Sequence, residues 1–333
     1  MKKRILTGDR PTGKLHLGHF VGSLSERVKL QHKYEEFILI ADIQALTTNF
    51  NNPENLRQDI IEVTMDYLSC GIDPEVVTIC VQSMIPELSE LTMYFSMFTT
   101  VASLRRNPTT KAEAEEKRYG QNIMHGFLGY PVSQAADIAI FRAHLVPVGE
   151  DQLPIIEQTR EIVRKFNNLY GSVLIEPKAL IGEVGRLIGI DGQTKMSKSL
   201  GNAIYLSDSS SVVERKVRGM FTDPTKIHLG DKGHPDNCPV HIYAAIFNDD
   251  RGVVEETREA CLTGKLGCVT CKKKLAVALN KFLEPIREER KKYEGCPEFI
   301  TEILLRGTKK GRDEAGKTMK HVRKAMKIDY FRQ

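Results

Sequence analysis

The sequence predicts an α/β fold, a doubly wound parallel sheet followed by a mainly α-helical C-terminal region. Three observations predict it. In the first half, short apolar runs rich in β-branched residues alternate with segments of helical length, the pattern of strands joined by crossover helices. A glycine-rich turn, TGDRPTG, follows the first of these runs. Beyond about residue 205 the strand pattern gives way to helical periodicity.

The elements follow in order. ILTG (5–8) reads as a short strand ending at glycine, and 17–32 as the next helix. EEFILIADIQALTT (35–48) contains a buried strand. The helix expected at 53–70 has Pro53 near its start, a position that tolerates the missing amide hydrogen. VVTICVQS (76–83) is a further strand, and a helix begins near Pro86. The charged, polar stretch at 103–125 reads as an insertion or surface excursion. The alternation then resumes with a helix at 131–143, the strand LVPVG (145–149) and a helix at 151–168. A loop follows over 181–202. The region beyond is helical, interrupted by a cysteine-bearing segment at 238–271, and 283–294 reads as an exposed charged helix.

Composition excludes several classes. The 333 residues are 41% hydrophobic and 27% charged, as in ordinary globular proteins. No apolar run approaches the ~18 residues of a membrane span, and the N-terminus lacks the apolar stretch of a secretory signal. Seven cysteines are too sparse for a secreted disulfide scaffold, so a cytoplasmic setting is expected. Residues 301–333 carry ten Lys and Arg against four Asp and Glu, so more than the whole net charge of +5 sits there. Such a segment suits a polyanion such as RNA, or else forms a solvated helix face.

The densest chemistry lies in TGDRPTGKLHLGHF (7–20). Its glycines let the backbone approach a ligand closely, and the turn opens a helix whose free amides favour phosphate. His16 and His19, three residues apart, share one face and are placed to hydrogen-bond a triphosphate. The segment matches neither the dinucleotide pattern nor the P-loop. A second piece is KMSKS (195–199). Its two lysines, three apart on a loop after Asp191-Gly192, suit a departing pyrophosphate, where charge develops in the transition state.

Together HLGH and KMSKS resemble the two signatures of class I aminoacyl-tRNA synthetases. The resemblance covers most of the chain. It implies a Rossmann-like catalytic domain over 1–204, with an insertion and dimer-interface segment at about 103–170, and a helical anticodon-binding domain over 205–333. It also implies ATP with Mg²⁺ as substrate and an aminoacyl-adenylate intermediate. By motif, Asp9, Arg10, Pro11, Thr12, His16, Gly18 and His19 line the ATP site, and Lys195, Met196, Ser197, Lys198 and Ser199 close over it. Backbone near Arg186 and Leu187 meets adenine. His16, His19, Lys195 and Lys198 are the expected catalytic residues.

Two further segments, GYPVSQAADIAIF (129–141) and VPVGEDQ (146–152), resemble bacterial tryptophanyl enzymes. This implies that Asp137 accepts the indole N–H, that Tyr130 and Gln152 face the substrate ammonium, and that Gly149, Glu150 and Asp151 face the nucleotide. A carboxylate in an apolar pocket selects a large apolar body with a single donor. Gln44, Leu6 and Val148 are expected around the indole. Gln134 completes a Y-x-x-x-Q-x-x-D pattern shared with tyrosyl enzymes, which keeps tyrosine as the alternative substrate. The partners implied are L-tryptophan, tRNA(Trp) and a second copy of the chain.

Cys238, Cys261, Cys268 and Cys271 follow the spacing C-x22-C-x6-C-x2-C. Four thiolates suit either Zn²⁺ or a [4Fe–4S] cluster. Cys238 is followed by proline, as one ligand is in ferredoxins. A subset of tryptophanyl synthetases resembles this spacing and carries a [4Fe–4S] cluster, which is the expectation here, with zinc as the alternative. Cys70 and Cys80 read as inert core.

Overall fold

The computed structural model describes residues 2–181 and 187–331. Five strands form one parallel sheet: β1 (Arg4–Asp9), β2 (Glu35–Ile40), β3 (Thr78–Val81), β4 (Leu145–Val148) and β5 (Lys178–Ile181). Their order is β3-β2-β1-β4-β5. Leu6 pairs with Phe37, and Phe37 with Thr78. β4 joins β1 at Ile5–Leu145 and pairs with β5 along its whole length. The order reverses between β1 and β4, and open α/β sheets bind ligands at the carboxyl ends of strands around such a switch point. The doubly wound expectation is therefore met. The sequence pattern does not signal β5, whose four residues are too short and too exposed to stand out from a loop.

The chain divides into two compact units. The first comprises 1–13, 23–183 and 296–333 and holds the sheet. Its core packs Phe37 on Phe141, rings stacked at 5.0 Å, among Leu6, Leu39, Ile138 and Ile140. The helix containing AADI spans His125–Ile140 and carries Pro131 inside it. Proline's preference for a first turn explains why the sequence places the start of this helix late.

The stretch expected as a surface excursion is two capped helices, Val101–Arg106 and Pro108–Glu116. Thr100 caps the first and Asn107 the second, the Asn107 carboxamide oxygen accepting from the amides of Thr109 and Thr110. The Asn107 amide nitrogen also donates to Pro154 O and Gln158 Oε1. These long-range bonds anchor a segment whose composition alone reads as loop.

The final helix, Pro297–Ala325, belongs to the first unit. Gly307 lies so close to β3 that a Cβ there would stand 1.9 Å from Ile79 O. Thr308 Oγ1 accepts from the Val81 amide at 3.1 Å, and Glu314 pairs with Arg4 at 2.7 Å. The basic residues between 301 and 325 thus decorate a helix whose apolar face, including Ile300, Ile303 and Met319, is buried.

The second unit comprises 14–22 and 184–295. Helices Ser210–Arg218 and Pro239–Phe247 pack on the long helix Cys268–Glu294, and Phe247 and Phe20 each meet Phe282 at 5.0 Å. The expected cysteine-bearing interruption is largely helical, holding Pro239–Phe247 and Arg251–Leu262. Among the described residues no helix is long and apolar enough to cross a membrane.

Candidate active site

Asp137 lies on helix His125–Ile140 and is 3% exposed. Two amides hold its carboxylate. Gln44 Nε2 donates to Oδ2 at 2.7 Å, and Gln82 Nε2 reaches both oxygens at 2.9 Å. Gln82 Oε1 in turn accepts from the Gln44 backbone amide at 3.2 Å. Gln44 follows β2 and Gln82 follows β3, so both come from carboxyl ends of the sheet. Burial pushes Asp137 up to about 7, while the hydrogen bonds from Gln82 and Gln44 pull the other way. The sequence singles out Gln44 but not Gln82, which sits at the end of an apolar run with no motif around it.

Leu6 is in the sheet core and Val148 packs against that core. Tyr130 and Gln134 share the helix with Asp137. Tyr130 is 7% exposed and belongs to a small apolar cluster with Ala114, Phe127 and Ile155. Gly149 leads into the short helical turn Glu150–Gln152. Asp151 O accepts from Thr109 Oγ1 at 2.6 Å, and Gln152 Nε2 donates to Asp151 Oδ2. These bonds fix the segment expected to meet the nucleotide and the substrate ammonium.

At the end of β1, Asp9 Oδ2 accepts from Arg27 at 2.7 Å and from Tyr67 at 2.6 Å. Arg27 is 2% exposed; burial disfavours its charge, but Asp9 more than compensates. Asp9 therefore holds the start of the glycine-rich turn in place, with two partners that no sequence motif marks. Arg10 and Thr12 are exposed and Pro11 is buried.

In the second unit the two signature motifs meet. The Gly18 amide lies 3.3 Å from Met196 Sδ. A Cβ on Gly18 would stand 2.9 Å from the His16 ring and 3.4 Å from Met196 Cβ, so the middle of HLGH has no room for a side chain. The His16 and His19 rings lie 3.8 Å apart, and the His16 amide donates to His19 Nδ1. The Leu17 amide donates to Ile204 O, tying HLGH to the strand-like run after KMSKS.

Asn202, 3% exposed, organises the KMSKS loop. Its Oδ1 accepts from the Ser197 amide at 2.7 Å. Its Nδ2 donates to Asp191, Thr194 and the Lys195 carbonyl. Lys195 is exposed and Lys198 half-buried; Ser197 and Ser199 share a hydrogen bond of 2.9 Å. Leu187 O accepts from the Met196 amide. Arg186 lies outside the described residues. The sequence does not single out Asn202, because an asparagine after a glycine reads as turn chemistry.

The four cysteines line one cavity, together with Asp223, Lys226 and His241. Cys238 precedes helix Pro239–Phe247, Cys261 sits in the last turn of Arg251–Leu262, and Cys268 and Cys271 share the first turn of Cys268–Glu294. Burial, with the other three thiols nearby, pushes Cys271 up to about 12. Among the described residues no group of three or more His, Cys, Asp or Glu side chains is arranged to hold a metal ion. The ligand set expected from the spacing is thus gathered on one cavity without being closed around a centre.

The family model described as tRNA synthetases class I (W and Y) matches residues 1–284. Tryptophan–tRNA ligase of Clostridium longisporum is 53% identical over 335 residues, covering 99% of this chain and 98% of that protein. Tryptophan–tRNA ligase of Streptococcus mutans is 49% identical over 338 residues, covering 99% of each. The crystal structure of tryptophanyl-tRNA synthetase from Campylobacter jejuni complexed with ADP and tryptophan matches with a TM-score of 0.85 at 32% identity, covering 97% of this chain and 99% of that one.

Proposed function

Because the chain belongs to the class I tRNA synthetases of the tryptophan and tyrosine type, we propose that it activates L-tryptophan with ATP and transfers it to tRNA(Trp). The observation that carries this reading is Asp137, a buried carboxylate whose two oxygens are steadied by Gln44 and Gln82. It accepts the indole N–H, and an analogue lacking that donor leaves a buried charge only partly answered. Tyrosine also offers a donor, and Gln134 suits either substrate. The relatives that match over their full length carry the tryptophan name, which favours tryptophan.

Two steps follow. The tryptophan carboxylate attacks the α-phosphorus of ATP in line and pyrophosphate leaves. A terminal ribose hydroxyl of the tRNA then attacks the adenylate and AMP leaves. The attacking carboxylate is already ionised, so the first step needs no protein base. Positioning and charge stabilisation supply the catalysis. His16 and His19 donate to phosphate oxygens, and Lys195 and Lys198 balance the charge that moves onto the pyrophosphate. Asp9, Arg10, Pro11, Thr12, Gly149, Glu150, Asp151 and Leu187 shape the nucleotide's surroundings, with Mg²⁺ accompanying ATP.

The helical region 205–333 is read as the part that meets the anticodon arm. The four cysteines are read as ligands of a [4Fe–4S] cluster with a structural or tRNA-recognising role, zinc being the alternative. Their shared cavity and the proline after Cys238 support this. A homodimer in the cytoplasm completes the reading. Charging of tRNA(Trp) and tRNA(Tyr) transcripts with labelled tryptophan or tyrosine tests it. Tryptophan on tRNA(Trp) alone is expected; tyrosine on tRNA(Tyr) would overturn it.

A further inference from the structure

In the second unit, Lys195 sits on a small hairpin with one arm at 187–190 and the other at 194–196. The Met196 amide donates to Leu187 O at 3.0 Å, and the Gly189 amide to Thr194 O at 2.8 Å. These bonds flank the antiparallel pair Ile188–Lys195. In a pair flanked this way the two residues do not bond each other, and their carbonyls point outward from the two edges of the hairpin. Each carbonyl is left for a donor outside the pair. Lys195 O accepts from Asn202 Nδ2 at 3.1 Å. Ile188 O accepts from the Tyr243 hydroxyl at 2.6 Å. The lysine and its cross-strand partner are therefore clamped from both edges.

The two sides of the clamp differ in origin. Asn202 belongs to the loop itself. Tyr243 is fully buried on helix Pro239–Phe247, which packs on the long helix Cys268–Glu294. It is the fixed side, tied to the helices rather than to the loop. Burial and the charge of Asp191 push its hydroxyl above the usual phenol range, so it remains a donor. The turn of the hairpin has a second brace from the same unit. Gly192 has a φ of +70°, and a Cβ there would stand 2.5 Å from the Phe221 ring. The Phe221 amide donates to Ile190 O at 2.8 Å.

We propose that Tyr243 is a positioning residue for adenylate formation: through Ile188 it sets where the hairpin holds Lys195, with Phe221 bracing the turn. This role rests on the reading of the chain as an amino-acid-activating enzyme. A lysine that answers charge only in the transition state is useful only where its backbone is already in place. Neither Tyr243 nor Phe221 touches the reacting atoms, and no motif marks either of them.

Tyr243→Phe removes the hydroxyl and keeps the ring, which packs 6.0 Å from that of Phe247. In single turnovers it is expected to slow adenylate formation by roughly 5- to 30-fold, the range of one lost positioning hydrogen bond. Tryptophan affinity is expected to stay within about twofold. Made on a Lys195→Ala background, the same change is expected to alter the rate by less than about twofold, because the residue it positions is gone. If Tyr243→Phe does not fold, Phe221→Leu, a change at the surface, is judged by the same criteria with a smaller loss expected. A wild-type chain that forms no adenylate from tryptophan would overturn the tryptophan reading rather than the clamp. An unchanged rate in the single variant, an equal loss of tryptophan affinity, or the full loss persisting without Lys195 would overturn the clamp.

Discussion

Gln82 holds its side-chain nitrogen 2.9 Å from each carboxylate oxygen of Asp137. Asp137 therefore has a partly answered charge in a buried setting, and its carboxyl titrates at about 7. In the unfolded chain an aspartate titrates near pH ~4. Between these values the native state holds the extra proton, so the stability of the ligand-free chain falls as pH rises through that window.

Tryptophan reverses this preference, because an indole N–H bonds the charged form more strongly. Its affinity is expected to rise between about pH 6 and pH 8, with a proton released on binding near neutrality. Calorimetry in two buffers of different ionisation enthalpy measures both. Gln82→Leu is expected to move the affinity rise to higher pH, since a donor to the charged form is lost. A dissociation constant that does not change from pH 6 to pH 8 would contradict the role given to Asp137.

Lys195 acts on charge that appears during the reaction. Lys195→Ala is expected to lower the rate of adenylate formation by about 100-fold or more while tryptophan binding changes less than about twofold. Asn202→Ala tests the positioning of the same loop, because Asn202 holds Asp191, Thr194, the Lys195 carbonyl and the Ser197 amide. Its rate loss is expected to be smaller, together with a lower melting temperature. Single-turnover rates alongside equilibrium binding separate the two effects. Equal losses of rate and tryptophan affinity in Lys195→Ala would count against its transition-state role.

Gly307 and Gly316 lie on the same helix and are expected to respond oppositely to alanine. A Cβ at Gly307 runs into Ile79 O, whereas one at Gly316 meets nothing within 4 Å. Gly307→Ala is expected to destabilise the chain by about 1–3 kcal/mol through overpacking. Gly316→Ala is expected to stabilise it by about 0.5–1 kcal/mol through helix propensity. Urea denaturation measures both. Similar values for the two variants would mean that Gly307 does not set the distance between the final helix and β3.

Much of this organisation is legible in the sequence, because its signals are local. β1 to β4 stand out as apolar runs, HLGH and KMSKS as motifs, and Asp137 as a lone carboxylate in AADIAIF. What is not legible depends on distant partners. Gln82 and Asn202 look like ordinary polar residues until the fold brings Asp137 to one and the KMSKS backbone to the other. Asn107 turns a charged stretch into two packed helices by bonding Pro154 and Gln158. The final helix joins the sheet unit through Gly307 and Thr308, which composition cannot distinguish from the basic surface around them.

The cysteine reading makes a spectroscopic prediction. Protein purified without oxygen and then reduced is expected to show the paramagnetic resonance of a [4Fe–4S] cluster, with iron and sulfide in matching amounts. Cys271→Ser is expected to abolish it, since Cys271 shares one cavity with the other three thiols. Stoichiometric zinc with no cluster signal would assign the site to the alternative metal.

The central claim is the amino acid. Amino-acid-dependent exchange of pyrophosphate into ATP, run with tryptophan and tyrosine side by side, tests it most directly. Exchange driven by tryptophan and not by tyrosine, and strongly reduced in Asp137→Ala, is the predicted result. Exchange driven by tyrosine, or by neither amino acid, would contradict it.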